Sequence, residues 1–414
     1  MDDPVRVRFL DRSTPPHVAT LVLMAGLAAM NMSAFLPALN EMTAHFGTNY
    51  AVMGLSVSLY LAVTAVIQLV IGPVSDRFGR RIVTLSCTAI FVVGVIACIF
   101  APTVAWFLFF RMVSGAVAVG LVLSRAIVRD LYPADQSASM IGYVTMGMAL
   151  VPMAAPAVGG ALAQAFGWQA VFVLLALMGV LIGALCFLDQ GETAPPGANA
   201  SFRQQIAEYP ELLTSPRFWG YVLAAAFASG AFFAFLGGAP YVAETIYGLS
   251  KFWSGIALGA PAIGYAAGNF ISARYSVRYG IDSMILVGCI LTVAGLTAAL
   301  LVDLAGVHTA FAFFGFCTFV GLGNGLVMPN TAAGMLSVRP HLAGTASGLG
   351  AAFMIGGGAA LSALAGVLLK SYDGALPLIA LMTATSALSL LSILYVIRRA
   401  RSIATASDVP AGTA

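Results

Sequence analysis

An acid followed closely by arginines is the feature of this chain whose residue types and spacing could do chemistry. Residues 72–81 read Gly-Pro-Val-Ser-Asp-Arg-Phe-Gly-Arg-Arg, which places the carboxylate of Asp76 directly before three arginines. A guanidinium can bond a carboxylate through two parallel hydrogen bonds, and Gly79 permits a tight turn between the charges. The segment therefore predicts ion pairs that hold helix ends together.

A further arginine, Arg111, lies inside the apolar run 104–128, and Arg125 follows near the end of the same run. An arginine inside an apolar span costs at least ~2.5 kcal/mol on insertion scales, so it normally faces a cavity or a partner. We expect Arg111 to contact a bound molecule. The alternative is a structural role, in which its guanidinium bonds carbonyls and amides of neighbouring helices.

The composition indicates which elements must position these side chains. Of 414 residues, 60% are hydrophobic and 8% are charged, and the mean hydropathy is +0.96. Soluble domains carry about a quarter charged residues, which excludes a water-soluble globule. A helix that crosses a bilayer needs roughly 20 apolar residues, so the chain has material for about twelve such helices. The net charge of +3 is too small and too scattered for a nucleic-acid surface.

Twelve apolar stretches are long enough to span a bilayer. All must be helices, because backbone amides in lipid need partners within their own segment. Eleven of them lack Asp, Glu, Lys and Arg, and the stretch 104–128 is the exception. The predicted spans are 18–40, 50–75, 82–101, 104–128, 137–166, 168–188, 218–243, 252–273, 283–302, 309–338, 342–369 and 374–397.

Two features divide the chain into halves. A polar stretch separates six predicted spans from six. The turn Arg-Phe-Gly at 77–79 recurs as Arg-Tyr-Gly at 278–280, 201 residues later, which indicates a parallel six-helix repeat. Most arginines between spans fall on the side of both termini, so we expect cytoplasmic termini. The expected parts are a cytoplasmic tail 1–17, a bundle 18–188, a cytoplasmic linker 189–217, a second bundle 218–397 and a cytoplasmic tail 398–414.

Residues 72–81 match the GxxxDRxGRR signature of the major facilitator superfamily, and the chain resembles this family over nearly its whole length. Residues 124–132, Ser-Arg-Ala-Ile-Val-Arg-Asp-Leu-Tyr, are similar to the bicyclomycin and chloramphenicol resistance (Bcr/CflA) exporters, a drug:proton antiporter branch. The resemblance implies an all-α polytopic membrane protein with 12 transmembrane helices in two pseudo-symmetric six-helix bundles. It also implies transport by alternating access across a bacterial inner membrane.

The resemblance assigns a gate to the cytoplasmic end of the bundle. The charged residues and glycines of the signature would close this end by bonding facing helix termini, together with the end of the fourth span. The alternative is an anchor, since loop arginines hold a loop on the cytoplasmic side without any latch. The residues assigned to this gate are Gly72, Asp76, Arg77, Gly79, Arg80, Arg125, Arg129 and Asp130.

The first span departs from the family pattern. Exporters of this branch typically read Asp-x-Tyr-Leu-Pro where residues 33–37 read Ser-Ala-Phe-Leu-Pro. The missing acid is the family's natural proton carrier, because a carboxyl in a low dielectric can hold and then release a proton. Edge acids that could couple a proton instead are Glu41 and Glu244, just past the periplasmic ends of their spans, and Asp130 at a cytoplasmic end. We expect Glu41 to couple the proton; the alternative for each is a solvated loop charge.

The resemblance implies that helices one, four, seven and ten line a central cavity. Polar and aromatic side chains repeat at helical spacing on these helices, so they could share one pocket. The alternative for each aromatic residue is a core or lipid-facing position. The residues expected to bind substrate are Asn31, Ser33, Phe35, Arg111, Phe227, Phe235, Phe316 and Asn324.

These features predict a secondary active transporter that exports small amphipathic, drug-like compounds by proton antiport. Because Arg111 makes the interior positive and no span contains an acid, we expect neutral or anionic cargo rather than lipophilic cations. The alternative is a facilitator or uptake carrier for an organic anion or a sugar, without proton antiport.

An enzyme is not expected, because the chain has no P-loop, no His-Glu-x-x-His motif and no nucleophile elbow. The five cysteines lie in apolar runs without metal-ligand spacing, so no metal or cofactor is expected. The expected partners are a small-molecule substrate, a proton as the coupling ion and the lipid bilayer, with no nucleic acid. The resemblance implies a monomer.

Overall fold

The computed structural model describes residues 8–131, 154–194, 210–339, 342–371 and 374–407, together with Met140, Val144 and Val151. Within these ranges the chain is helical and contains no β-strand. Eleven helices are long and apolar enough to cross a membrane. The predicted all-α membrane fold is confirmed, whereas the position of the termini relative to the cytoplasm stays a prediction.

The long helices follow the predicted spans, and most differ from them by only a few residues at their ends. In chain order they are α1 Val18–His45, α2 Tyr50–Phe78, α3 Arg80–Ile99, α4 Val104–Leu131, α5 described over Ala154–Phe166, α6 Trp168–Asp189, α7 Pro216–Ile246, α8 Lys251–Tyr279, α9 Ile281–Leu304, α10 Ala310–Val338, α11 Ala343–Ser371 and α12 Leu376–Ser407. The earlier part of the predicted fifth span, 137–153, lies outside the described residues except at the three single positions named above.

Side-chain caps explain where several helices begin. The side chains of Asn49, Thr103, Ser250 and Thr309 each accept a hydrogen bond from a backbone N–H in the first turn of the helix that follows. Such a bond satisfies one of the four backbone donors that a helix start leaves free, and it is worth about 1 kcal/mol. Short polar residues between the apolar runs therefore fix where these helices start.

Two helices of the first half are interrupted close to Arg111. A 3₁₀ turn at Leu36–Ala38 breaks α1, where Pro37 lacks the N–H that a regular helix needs. A second 3₁₀ turn at Ser114–Ala118 breaks α4 directly after the arginine. Both helices then continue, so the interruptions change the direction of side chains around the guanidinium without ending either span.

The first and seventh helices continue beyond the predicted span ends at 40 and 243, so Glu41 and Glu244 lie on helical backbone rather than in loops. After its 3₁₀ turn the first span resumes as the helix Leu39–His45, which contains Glu41. Past Pro240 the seventh span continues as a π-helical turn, Val242–Ile246, which contains Glu244. Both carboxylates therefore sit on helical backbone, where neighbouring helices fix their direction.

The two ends of the bundle carry different charges and are named here by position. The terminal face is the end at which α1 begins at Val18, and the far face is the end at which α8 begins at Lys251. Between them, α2 packs along α11 over its length, with Ala51 near Gly366 and Gln68 near Gly348. This helix pair joins the two halves from one face to the other.

Candidate functional site

An ion-pair network centred on Arg80 lies at the terminal face, and it is called the Arg80 network below. The Arg80 guanidinium contacts the Asp76 carboxylate at 2.5 Å and the Asp130 carboxylate at 3.0 Å, and it donates to the hydroxyl of Ser75. Arg80 is buried, so these charges are largely shielded from solvent. One guanidinium thereby ties the end of α2 and the end of α4 to the start of α3.

The tight turn between α2 and α3 has an anion partner that the sequence did not point to. Gly79 has φ +93°, and a Cβ at this position would overlap the Glu192 carboxylate. That carboxylate accepts hydrogen bonds from the backbone N–H groups of Arg80 at 2.8 Å and Arg81 at 3.3 Å. It caps the start of α3, where a negative charge is favoured by the helix dipole.

The other residues assigned to the gate lie outside the Arg80 network. Arg77 stacks on the ring of its neighbour Phe78, and Gly72 has open space beside its Cα. Arg125 and Arg129 are exposed on one side of α4. The structure thus brings Asp76 and Arg80 of the signature together with Asp130 of α4, and it leaves these arginines outside that cluster.

Arg111 occupies a sealed pocket inside the first half. One terminal nitrogen lies 2.5 Å from the Asn31 side-chain oxygen and 3.2 Å from the Ser114 hydroxyl, and the other lies 2.6 Å from the Asn31 carbonyl. The guanidinium sits 4.3 Å from the ring centre of Phe35 and 4.7 Å from that of Tyr60. Its side chain is 0% exposed.

The Arg111 pocket is built from uncharged groups. In the part of the chain that the structure describes, no carboxylate forms a salt bridge with Arg111, and its Nε atom has no hydrogen-bond partner. Aromatic faces and carbonyl oxygens stabilise the cation instead. Ser33, where the family carries an acid, donates its hydroxyl to the Ala29 carbonyl at 3.0 Å. Asn31, Phe35 and Arg111 therefore belong to one structural cluster, which matches the alternative reading of Arg111.

Charged side chains connect the two halves at the far face. Lys251 of α8 contacts the Glu41 carboxylate of α1 at 2.7 Å. Asn40 of α1 donates to the Glu244 carboxylate of α7 at 3.1 Å. The sequence separates the partners of the first pair by 210 positions, so no local pattern could have paired them.

Close backbone packing seals the same face. The Tyr50 hydroxyl donates to the Gly237 carbonyl at 3.0 Å and accepts from the Tyr241 N–H at 3.3 Å. A Cβ at Gly255 of α8 would overlap the carbonyl of Pro156 in α5. These contacts are made across the boundary between the halves, so the halves touch tightly here.

The aromatic residues assigned to substrate lie at different depths. Phe235 is buried and lines a narrow crevice with Ser33, Pro156 and Leu258, with room for about one water molecule. Phe227 is half-buried, nearer the terminal face on the same helix. The structure does not bring these residues into one open pocket.

Two further assigned residues lie on α10. Asn324 is buried and its side-chain oxygen has no hydrogen-bond partner, while Phe316 is partly buried.

Beyond the spans, Tyr247 packs its ring 6.0 Å from Phe313, and burial raises the pKa of its phenol to about 12. This phenol stays neutral at physiological pH and can only act as a hydrogen-bonding group there.

Metal chemistry finds no support in the described ranges, where no three His, Cys, Asp or Glu side chains cluster closely enough to hold an ion. The site consists instead of the Arg80 network at one face, the sealed Arg111 pocket and the inter-half contacts of the far face. This arrangement can hold the halves together at one end and release them at that end.

Comparison with known proteins identifies relatives over almost the full length. The family model for the Major Facilitator Superfamily matches residues 21–363. The chain is 29% identical over 378 residues to the uncharacterized MFS-type transporter YdgK of Bacillus subtilis, covering 90% of this chain and 93% of that protein. It is 27% identical over 393 residues to the bicyclomycin resistance protein homolog of Haemophilus influenzae, covering 94% and 98%.

A solved structure has the same fold. It is that of a bacterial homolog to the human lysosomal transporter Spinster in an inward-facing and occupied conformation, with TM-score 0.72 and 19% identity, covering 93% of this chain and 96% of that chain. The helical spans and the bacterial relatives together place the chain in a bacterial inner membrane as a multi-pass protein.

Proposed function

The chain belongs to the Major Facilitator Superfamily of membrane transporters, and we propose that it exports small amphipathic, drug-like compounds, neutral or anionic, by alternating access. The observation that carries this proposal is the uneven distribution of contacts between the halves. One ion pair, one side-chain hydrogen bond and tight backbone packing bridge the halves at the far face, whereas the Arg80 network lies within one half.

Alternating access requires two arrangements of the halves that differ by only a few kcal/mol. The Glu41–Lys251 pair suits this requirement, because both side chains are partly exposed and such pairs contribute about 0–1 kcal/mol. A contact of this strength holds the far face shut and still breaks readily. If the termini are cytoplasmic, the far face is periplasmic, and the contacts across that face are those expected of an inward-facing state.

The Arg80 network supports the role that the family resemblance suggested for residues 72–81. In this state Arg80 satisfies Asp76 and Asp130 within the first half. When the terminal face closes, the same buried charges can bond helix ends of the second half, because hydrogen bonds to charged groups are among the strongest. The other residues assigned to the gate then act at the edges of this closure; they are Gly72, Arg77, Gly79, Arg125 and Arg129.

Cargo selection follows from the charges of the interior. Arg111 keeps the interior positive, and the bicyclomycin resistance relative supports a drug-like cargo. The aromatic residues Phe227, Phe235 and Phe316 would pack on apolar parts of the cargo, and the unpaired Asn324 oxygen would accept a hydrogen bond. Asn31 and Phe35 act through Arg111 in this state, since both contact its guanidinium, whereas Ser33 lines the narrow crevice beside Phe235.

Proton antiport requires a group that replaces the acid absent at Ser33. We assign this role to Glu41, because its pair with Lys251 must break whenever the far face opens. A proton taken up by the free carboxylate would delay re-pairing and link pH to the state of the far face. A facilitator or uptake carrier for an organic anion or a sugar is the second candidate, favoured by the Ser33 hydroxyl that is bonded to its own helix.

Flux in proteoliposomes tests these proposals. The purified protein is reconstituted, a pH gradient is imposed, and flux of a neutral amphenicol is measured with the native chain and with Glu41→Gln. Accumulation driven by the gradient, lost in the variant, is the expected result. Flux that only equilibrates supports the facilitator, and transport of the cation ethidium would contradict the assigned cargo class.

A further inference from the structure

Two arginines form an exposed stripe on the last turns of α4. Over residues 121–131 the buried and exposed positions alternate with helical spacing, and Arg125 and Arg129 are the exposed ones. Leu123, Ala126 and Ile127 on the other sides are buried in the first half. The two guanidiniums therefore project from one side of the helix, one turn apart.

At Arg125 this stripe is directed at the second half rather than at lipid. Arg125 interacts electrostatically with Tyr265 of α8, which belongs to the other half of the molecule. Arg125 lies six residues before the end of α4 at Leu131, which is roughly 9 Å along the helix axis. The guanidinium is thus exposed about two turns before the end of α4, on the side of this helix that is directed at Tyr265 of the second half.

The charges of the stripe have no counter-ion among the described residues. No acid of the described ranges forms a salt bridge with Arg125 or Arg129, and the one nearby carboxylate on α4, Asp130, is held by Arg80. Two like charges one turn apart also repel each other by a few tenths of a kcal/mol. Arg111 is buried and has polar and aromatic partners. Arg125 and Arg129, in contrast, are exposed.

We propose that Arg125 and Arg129 form the site that recognises a carboxylate group on the transported compound. The inference rests on the proposed transport function and deepens it by naming the anionic class of cargo. Guanidinium groups bind a carboxylate through paired, directed hydrogen bonds, and an apolar body attached to it would pack near Tyr265. The phosphate of an anionic lipid headgroup has the same chemistry and could enter the same gap.

Matched ligands test the assignment. The full-length protein is placed in nanodiscs of phosphatidylethanolamine, and binding of 2-naphthylacetate is compared with binding of the neutral 2-naphthylacetamide. The native chain should bind the acid about tenfold more tightly than the amide, since a charged hydrogen bond exceeds a neutral one by this order. Arg125→Gln should remove the preference, and Arg125→Lys should keep part of it because the charge remains without the fork.

Controls separate the outcomes. Arg278→Gln removes an arginine from the same face of the second half, and it should leave the preference unchanged. Thermal unfolding of each variant verifies that the protein is folded. An Arg125→Gln variant that is folded and still prefers the acid tenfold would overturn the assignment.

The source of the anion is settled by adding phosphatidylglycerol to the nanodiscs. Naphthylacetate binding that is unchanged by this lipid supports cargo recognition, while its loss on adding the lipid assigns the site to a headgroup and overturns the proposal. The amphenicol flux assay reports on transport independently. An acid preference at Arg125 without any flux would contradict the proposed function and leave the anion site standing.

Discussion

The two faces of the bundle use charge in opposite ways. At the terminal face, Arg80 joins three helix ends of the same half and is largely buried. At the far face, Lys251 reaches from one half to a partly exposed Glu41 of the other. A buried network that stays within one half braces that half, and an exposed pair between halves can be broken at low cost.

The sequence repeat sharpens this difference, since the turn at 77–79 and the turn at 278–280 have the same backbone form. Gly79 and Gly280 both have positive φ, at +93° and +82°. Val277, 98% exposed, stands where the first half has Asp76, and Ile281 stands where it has Arg80. In the second half Asp282 instead accepts a hydrogen bond from Tyr221 at 2.7 Å. The repeat preserves the turn and confines the ion-pair network to one half.

Removal of the central guanidinium should have the largest effect. Arg80→Met leaves the Asp76 and Asp130 carboxylates unpaired at a buried helix junction, and we expect a loss of about 3–5 kcal/mol of stability. Thermal unfolding in detergent measures the loss. Arg77→Met is the matched control, because Arg77 contacts only the exposed ring of Phe78 among the contacts described. Equal melting temperatures for the two variants would contradict the bracing role.

Removal of one hydroxyl between the halves should have an intermediate effect. Tyr50→Phe deletes the bond to the Gly237 carbonyl, and the closed far face should lose about 1 kcal/mol relative to the open one. The readout is the rate at which an impermeant maleimide labels a cysteine at Ala38, a position buried in the closed state, with native cysteines replaced.

Tyr60→Phe is the matched control, since the Tyr60 hydroxyl donates to the Ala28 carbonyl within the first half. The labelling rate should rise several-fold for the first variant alone. A similar rise in both would mean that the two hydroxyls report general loosening rather than contact between halves.

The exposed ion pair should have a smaller effect. A double-mutant cycle with Glu41→Gln and Lys251→Met should give a coupling energy of about 0.5–1 kcal/mol for the equilibrium between the closed and the open far face. The maleimide labelling rate at Ala38 measures this equilibrium. The coupling should weaken in high salt because the pair is partly exposed. Lys370→Met at the same face serves as the control, and a coupling of zero would remove this pair from the far-face closure.

The helix cap should have the smallest effect of the series. Glu192→Gln keeps the acceptor oxygen but removes the charge at the start of α3, at a cost of about 0.5 kcal/mol in stability. Asp11→Asn, a half-buried acid of the same face whose carboxylate bonds only its neighbour Ser13 among the contacts described, should change the melting temperature less. A larger loss for Asp11→Asn would show that the cap does not act through the helix dipole.

Much of the fold could be predicted from composition, because lipid permits only helices and closed barrels and the uncharged runs have helical length. The family resemblance is confirmed by the match over residues 21–363. The signature also pointed to the contact of Asp76 and Arg80, since those residues are four apart on adjoining helix ends. Local patterns are sufficient where partners are close in sequence.

The far face and the Arg111 pocket could not be predicted in the same way. Glu41 and Lys251 are paired only by packing of the halves, and Glu192 reaches α3 from a polar segment 112 positions away. The sequence indicated that Arg111 needs a partner, but only the structure identifies Asn31 and two aromatic rings as that partner. The predicted roles in gating, substrate binding and proton coupling stay predictions.

Distances between spin labels at both faces test whether the far face opens when the terminal face closes. One pair of labels is placed at Phe78 and Tyr279 on the terminal face, and another at Ala44 and Ser250 on the far face, in a chain without native cysteines. We expect Lys251→Met to increase the fraction of molecules in which the far-face distance is longer and the terminal-face distance is shorter. Distances that change in the same direction at both faces, or at one face alone, would contradict alternating access controlled by this contact.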